Sequence, residues 1–380
     1  MRHLIPATLL ASALCGFPQS ASTAQRVRSE LPFPDLPGLI TLRCDLHMHT
    51  VFSDGKVWPT VRAEEAWRDG LDAIAVTDHI EYQPFKADVT TNDARPYDLV
   101  RPQAEALGLL AIRGAEITRG EPPGHWNAIF IKDIAALRQN DHRDVVRTAF
   151  EQGGFIFWNH PGWKQPDEQS VWYAEQQEVL ERGWLHGIEV VNGTTYDPIA
   201  HQWCLDKKLT MMGDSDIHDP IDMVYSPEHG SVRPMTLVFA TARTPDALRQ
   251  ALFDRRTAVF SENRLIGEAK YLEPLFQQSI AILNPVIRIK GRNSVLVQVR
   301  NTAPIDYELV FTPKSTDLGL PGRATLPAGK VSLIQVRGLS DSASGRRVVA
   351  VPCQVTNLFA APNAGLSTAL RLEVEFQPAS

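Results

Sequence analysis

Two textures divide the chain. From about residue 41 to 262, short apolar runs alternate with amphipathic stretches; beyond about residue 283, apolar and polar residues alternate one by one. In the first part "LITLRCDLHM" reads as a strand and "TVRAEEAWRDG" as a helix ending at Gly70. "LDAIAVTDH" is the next strand and "YDLVRPQAEALG" the next helix, again closed by a glycine. "LLAIRGAEIT" and "HWNAIFIK" are strands with only a short loop between them. "DHRDVVRTAFEQGG" is a helix opened by an Asp141 cap. "FIFWNHP" (strand), "EQSVWYAEQQEVLERG" (helix), "GIEVVN" (strand), "DPIAHQWCLDKK" (helix) and "LTMMGDSDIH" (strand) continue the series. "MTLVFA", "TPDALRQALFDRR" and "TAVFS" finish it, with Thr244 as cap and Pro245 at the first helical position. Strands that alternate with helices and read as continuous apolar runs predict a parallel sheet covered on both faces. About seven such units predict an α/β fold, a closed βα barrel in preference to an open doubly wound sheet. No Gly-rich phosphate loop follows any strand, which removes dinucleotide-binding and P-loop readings.

In the second part "SVLVQVRN", "DYELVFTP", "VSLIQVRG", "RRVVAVPCQV" and "LRLEVEFQP" read as half-buried strands. In the last of these Leu370, Leu372, Val374 and Phe376 interleave with Arg371, Glu373 and Glu375. Such strands, separated by Pro, Gly, Ser and Asp, predict a small β-sandwich of about 100 residues. The expected organisation is a leader over 1–24, a Pro-rich lead over 25–40, the barrel over 41–262, a connecting helix over 263–282 and the sandwich over 283–380.

Composition narrows the setting. The 380 residues are 43% hydrophobic and 22% charged, an ordinary globular balance. A formal charge of −6 offers no general attraction to nucleic acid or anionic membranes, and the Lys and Arg residues form no cluster. "MRHLIPATLLASALCGF" has a basic start and a short apolar core, and small residues at Ser22 and Ala24 follow. This is the order of a secretory signal peptide cut near Ala24, so the expected location is secreted or periplasmic. Leu14 disfavours a lipid anchor at Cys15, and nothing later resembles a membrane span. Cys44, Cys204 and Cys353 are scattered; they read as buried small hydrophobes, not as a disulfide framework or a zinc site.

The candidate chemistry lies at strand ends. His47, His49, His79, His160 and His218 each fall at the C-terminal end of a predicted strand, and His125 immediately precedes one. Asp54, Asp78, Glu116, Glu189, Asp214 and Asp216 fall at the same edge. In a βα barrel these ends converge on one mouth. A lone histidine is usually a satisfied core or surface residue, and His142, His186, His201 and His229 are read so. Many imidazoles and carboxylates on one rim are different: without a cation they compete for partners and their negative charges repel. His with Asp and Glu is a donor set that Zn²⁺, Mn²⁺ or Fe²⁺ accepts.

In order, "DLHMHTVFSDG", "VTDH", "GAEIT", "HWNAIF", "NHP" and "SDIH" resemble the motifs of the PHP (polymerase and histidinol phosphatase) superfamily, over roughly residues 42–262. The resemblance implies a distorted seven-stranded βα barrel with two or three divalent metal ions. It also implies roles: His47, His49, Glu116 and Asp216 for a first metal, Asp54, His79 and His218 for a second. Glu116 would bridge to a third held by His125 and His160. Histidine occupies the position of Asp54 in some members. Asp78 would orient its neighbours, while Glu189 and Asp214 are left to structural support. Clustered cations make hydroxide from a bridging water and clamp phosphoryl oxygens. The expected function is therefore hydrolysis of a small-molecule phosphate ester, mono- or diester, with no nucleic-acid partner. Asp78 and Arg119 are the catalytic candidates; a protonated Asp or His, or metal-bound water, would serve the leaving group, and Arg119 could contact phosphate. Trp126 and Trp163, near the mouth, could line a substrate pocket, but core packing is the expectation for each. Alternatives are amidohydrolase-like cleavage of a C–N or C–O bond, for which no lysine is suitably placed, and a binding protein on an inert barrel.

Overall fold

Apolar runs of four to eight residues, each followed by an amphipathic return, fold here into a ring. The computed structural model describes residues 26–225, 231–312 and 317–379; the expected leader over 1–24, and His229, lie outside the described residues. Strands β1 (Ile40–Asp45), β2 (Ala73–Val76) and β3 (Leu110–Ile117) pair parallel, with helices α1 (Pro59–Arg68) and α2 (Arg95–Ala106) as crossovers. Then come β4 (Trp126–Ile129), α3 (His142–Glu151), β5 (Phe155–Trp158), α4 (Ala174–Glu181) and β6 (Gly187–Asn192). The two-residue β7 (Thr195–Tyr196), α5 (Pro198–Lys207) and β8 (Thr210–Asp214) follow, and β5, β6 and β8 again pair parallel. Side-chain caps set several helix starts. Asp141 accepts from the Arg143 N–H, and Asp197 accepts from those of Ile199 and Ala200. Helix α4 is shorter than its pattern predicts. Residues 169–173 are extended, and Trp172 and Tyr173 spend their polar atoms on Gln177 and Gln165.

Two departures from an all-parallel ring matter for the site. β4 runs antiparallel to both β3 and β5. The eight-residue loop 118–125 is too short for a crossover helix, so the chain returns as in a hairpin. β9 (Met235–Ala240) does not continue the ring but pairs antiparallel on the outer edge of β1. After α6 (Pro245–Phe253), β10 (Thr257–Ser261) and β11 (Arg264–Gly267) carry the sheet outward. With that edge of β1 taken, β8 closes the ring through side chains and the loop beyond it. The Asp214 carboxylate accepts from the Leu46 N–H at 2.7 Å, and that of Asp45 from the Ser215 N–H at 3.1 Å. Main-chain bonds Asp216 N to His47 O (2.9 Å) and His49 N to Ile217 O (3.0 Å) complete the seam. On the other side, the Thr236 hydroxyl bonds both main-chain atoms of Gly213.

The C-terminal part is a sandwich of two sheets. After α7 (Ala269–Ser279), β12 (Ile280–Ile282), β13 (Ile287–Lys290), β14 (Ser294–Asn301), β15 (Tyr307–Phe311), β16 (Leu318–Gly319), β17 (Arg323–Leu326) and β18 (Val331–Gly338) are short. β19 (Gly345–Ala361) and β20 (Ala364–Gln377) are long. One sheet has the order β12–β14–β18–β16; the other joins β13, β20, β19, β15 and β17. Leu370, Leu372, Val374 and Phe376 are buried, as their alternation predicts. The sandwich is not strung on a loose connection. β19 pairs parallel with β11, and α7 buries Leu272, Leu275 and Phe276 in a hydrophobic cluster that runs from the outer face of the barrel into the sandwich. Cys44, Cys204 and Cys353 are free and buried. Among the described residues no helix is long and apolar enough to cross a membrane.

Arg233 is fully buried, with its guanidinium 3.0 Å from Asp45 Oδ2 and from Asp69 Oδ2. Arg233→Met leaves buried Asp45 without its cation and Asp69 with Arg68 alone, an expected loss of about 3–5 kcal/mol. A urea midpoint equal to wild type would refute that role.

Candidate metal centre

Convergence of strand ends assembles the polar residues. His47 and His49 follow β1, His79 follows β2, Glu116 lies in β3, His160 follows β5, and Asp216 and His218 follow β8. His125 precedes its strand for a simple reason: β4 is reversed, so its N-terminal end shares the edge with the C-terminal ends of its neighbours. Asp54 arrives from the turn after β1.

Glu116 is the hub. Its Oε2 lies 2.7 Å from His79 Nδ1, 3.3 Å from His49 Nε2 and 3.6 Å from His47 Nε2. Its Oε1 lies 3.0 Å from His125 Nδ1 and 3.7 Å from His160 Nε2. Asp216 Oδ1 is 3.1 Å from His47 Nε2 and 3.0 Å from His49 Nε2. Asp54 Oδ1 is 3.4 Å from His79 Nε2 and 3.3 Å from His218 Nε2. Three donor sets have all their atoms within 4.8 Å of one another: His49, Asp54, His79 and His218; His47, His49 and Asp216; His79, Glu116 and His125. All nine ligand candidates from the sequence therefore meet in one cleft, with His160 near Glu116 and Asp216 but outside those three sets.

The electrostatics of this crowd are unbalanced by protons alone. Burial would pull His47 down, yet Asp216, Glu189 and Glu116 together push it well above the usual imidazole range. Burial opposes His79 in the same way, but Glu116 and Asp54 raise it to about 9. His49, buried beside His79, is pushed down to about 3. Against the effect of burial, the imidazoles hold Glu116 and Asp216 well below the carboxylate range. Glu116 Oε2 and Asp54 Oδ1 are buried and accept no hydrogen bond. Buried acceptors left open amid imidazole nitrogens, in a His/Asp/Glu donor set, fit divalent cations.

A second layer orients these groups. Glu189 Oε1 bonds His47 Nδ1 at 2.7 Å, turning Nε2 toward the cluster, and Glu189 Oε2 accepts from the His160 N–H at 2.8 Å. Asp78 does not enter the cluster. Its carboxylate accepts from the Thr50 N–H (2.7 Å) and from the hydroxyls of Thr50 and Ser53 (2.6 Å each), holding the loop after His49. Through these bonds Asp78 positions that loop. Arg119 lines the cleft, with its Nη atoms bonded to Glu81 and to the carbonyls of Thr118 and Gln139. Asp214 is spent on ring closure. Trp126 packs in the core as expected, whereas Trp163 is 43% exposed at the rim.

Sequence reading missed several contributors. Asn159 donates to Glu116 Oε1 at 2.9 Å, and Asn192 to Asp216 Oδ2 at 3.2 Å. Arg62, buried on α1, donates to the carbonyls of His49, Ile217, His218 and Asp219. Asn159 sits inside the "NHP" motif and was findable there; Arg62 sits in an ordinary helix and carried no signal. His160 and Asp216 have φ of 30° and 50°, left-handed values that cost about 1–3 kcal/mol each. The bonds from their N–H groups to Glu189 and to the His47 carbonyl offset that strain. The cleft, about 660 Å³, is also lined by Tyr82, Glu121 and Lys164. Burial raises the Glu121 carboxyl to about 7.

Known proteins were compared with this arrangement. A family model described as an Ig-like domain (DUF5001) matches residues 280–371. None of the curated proteins matches the chain. Among solved structures, a two-domain protein from Bacteroides vulgatus, described as containing a predicted PHP-like metal-dependent phosphoesterase, is 45% identical. The similarity spans 92% of this chain and 100% of that one, with a TM-score of 0.85, so barrel and sandwich are shared together. A candidate metal-dependent phosphoesterase from Bifidobacterium adolescentis is 17% identical over 55% of this chain and 95% of its own, TM-score 0.38. An amidohydrolase from Chromobacterium violaceum is 16% identical over 48% and 89%, TM-score 0.35. Neither of these two is near enough to bear on the site.

Glu189→Gln removes the charge that orients His47 and is expected to weaken Mn²⁺ or Zn²⁺ binding about 10–100-fold. Calorimetric titration measures this, and an unchanged affinity would remove Glu189 from the site's support.

Proposed function

Since the chain belongs to the PHP-like metal-dependent phosphoesterases, we propose that it hydrolyses phosphate esters of small molecules at the Glu116 cluster. The observation that carries this reading is the set of imidazoles and carboxylates in one cleft around buried oxygens of Glu116 and Asp54 that accept no hydrogen bond. Divalent ions held by such donors supply Lewis-acid chemistry: they acidify water and neutralise phosphoryl oxygens as the ester breaks.

The chain's own residues divide the work around that chemistry. His47, His49 and Asp216 form one donor group, Asp54, His79 and His218 a second, and His125 and His160 a third, with Glu116 presenting one oxygen toward each side. Whether the protein carries two ions or three depends on His125 and His160; His125 Nδ1, 3.0 Å from Glu116 Oε1 and in one donor set with it, supports three. Glu189 holds His47 in the tautomer that leaves Nε2 free to donate its lone pair. Asp78 keeps the Thr50–Ser53 loop closed beneath His49. The completeness of the donor set favours catalysis over an inert scaffold. The basic start, apolar core and small residues of the first 24 positions support export as the setting.

Activity on mono- and diester panels should vanish with a chelator and return with Mn²⁺, Zn²⁺ or Co²⁺. Glu116→Gln should lower kcat by more than about 100-fold, since even the supporting residues of such sites are worth 10–100-fold. No turnover at full metal loading, checked by elemental analysis, would overturn the reading.

A further inference from the structure

Beside the cleft, behind the loop His160–Lys164, lies a chamber of about 390 Å³. Its walls are that loop and residues from 189 to 199, and it shares His160, Trp163, Lys164 and Asn192 with the cleft. Val190, Tyr196, Pro198 and Ile199 give it apolar surface, and Gln169, Thr195, Glu189 and Asp197 add polar groups. This volume and mixture suit a compact organic group, not a polymer. The Tyr196 ring lies 5.6 Å from that of Phe359 on β19, so the sandwich supports the far wall.

The junction between chamber and cleft carries two exposed groups, Trp163 and Lys164. Trp163 is a large aromatic left 43% exposed, with His125 and His160 against it at ring distances of 4.8 and 5.2 Å. Lys164 Nζ lies 3.8 Å from the Trp163 ring centroid. Other cations of the rim are paired with carboxylates, Arg119 with Glu81 and Lys56 with Asp219. Among the described residues no carboxylate pairs with Lys164. An ammonium without a carboxylate partner beside a phosphoryl site is available to an anionic oxygen, and the exposed part of the Trp163 ring is available to a ring of the ligand.

We propose that this chamber binds the alcohol portion of the ester, with Lys164 pairing to a phosphoryl oxygen at the junction and Trp163 packing on a ring of the alcohol. Preferred substrates are then small phosphate esters of ring-bearing alcohols. The proposal rests on the phosphoesterase reading, and its test separates the two. Metal-loaded protein is treated with an acetylating reagent, and modification of Lys164 is read by mass spectrometry with phenylphosphonate or methylphosphonate present. Phenylphosphonate at ten times its Kd should protect Lys164 about tenfold, and methylphosphonate at the same concentration much less. Thr195→Trp, which fills the chamber from an exposed position, should abolish the phenylphosphonate advantage. Lys164→Met should raise KM for phenyl phosphate about tenfold, the loss of one charge-assisted contact, with kcat changed less than about threefold. Equal protection by both phosphonates, or an advantage undiminished in Thr195→Trp, overturns the chamber assignment. Turnover of phenyl phosphate without protection overturns this inference alone. Protection without turnover of any ester overturns the phosphoesterase reading alone, and absence of both overturns both.

Discussion

Imidazoles and carboxylates crowded away from water cannot all be satisfied by protons. Glu116 and Asp216 need positive charge on their neighbours, yet a proton on His49 is opposed by burial and by His79 beside it. A cation with several open coordination positions relieves both demands at once, because neutral imidazole nitrogens and ionised carboxylates are the forms it accepts. The rest of the molecule is arranged to maintain that crowd. Arg62 fastens the loop after β8 to the end of β1, Glu189 fixes His47 and His160, and Asp78 fixes the loop that brings Asp54.

The ring itself is shaped by the same need. A parallel ladder between β1 and β8 would use the main chain throughout; here β9 occupies that edge, and the closure falls to Asp45, Asp214 and the segment 215–217. Those bonds lie immediately beneath His47, His49 and Asp216, so the seam of the ring and the floor of the cleft are one structure. Displacing β9 outward also opens a sheet edge that β10, β11 and finally β19 extend, which gives the sandwich a backbone attachment to the barrel.

Much of this was legible in the residues. Alternation gave away the sandwich strands, because a half-buried strand leaves a period of two that no other element leaves. Apolar runs with capped helices between them revealed the barrel, and the caps at Asp141 and Thr244 form as read. The ligand candidates were legible because imidazole and carboxylate at strand ends are chemically conspicuous. The partners of Asp78 and Arg119 were not legible, for the opposite reason. Their side chains are as conspicuous as any ligand, but their partners, Thr50, Ser53, Glu81 and the Gln139 carbonyl, are ordinary residues brought close only by folding.

The residues by themselves determined the periodicities, the positions of turns and caps, and the kinds of donor atom available at each strand end, since all of these are local properties of side chains. Tertiary structure alone decided that β4 is reversed, which places His125 on the shared edge, and that β9 leaves the ring. It alone decided which carboxylate serves the cluster and which holds its frame. Strand direction and hydrogen-bond partnership depend on contacts between distant segments, Ile40 of β1 pairing with Ala240 of β9 for instance, and a side chain's chemistry does not reveal which distant backbone atom will claim it.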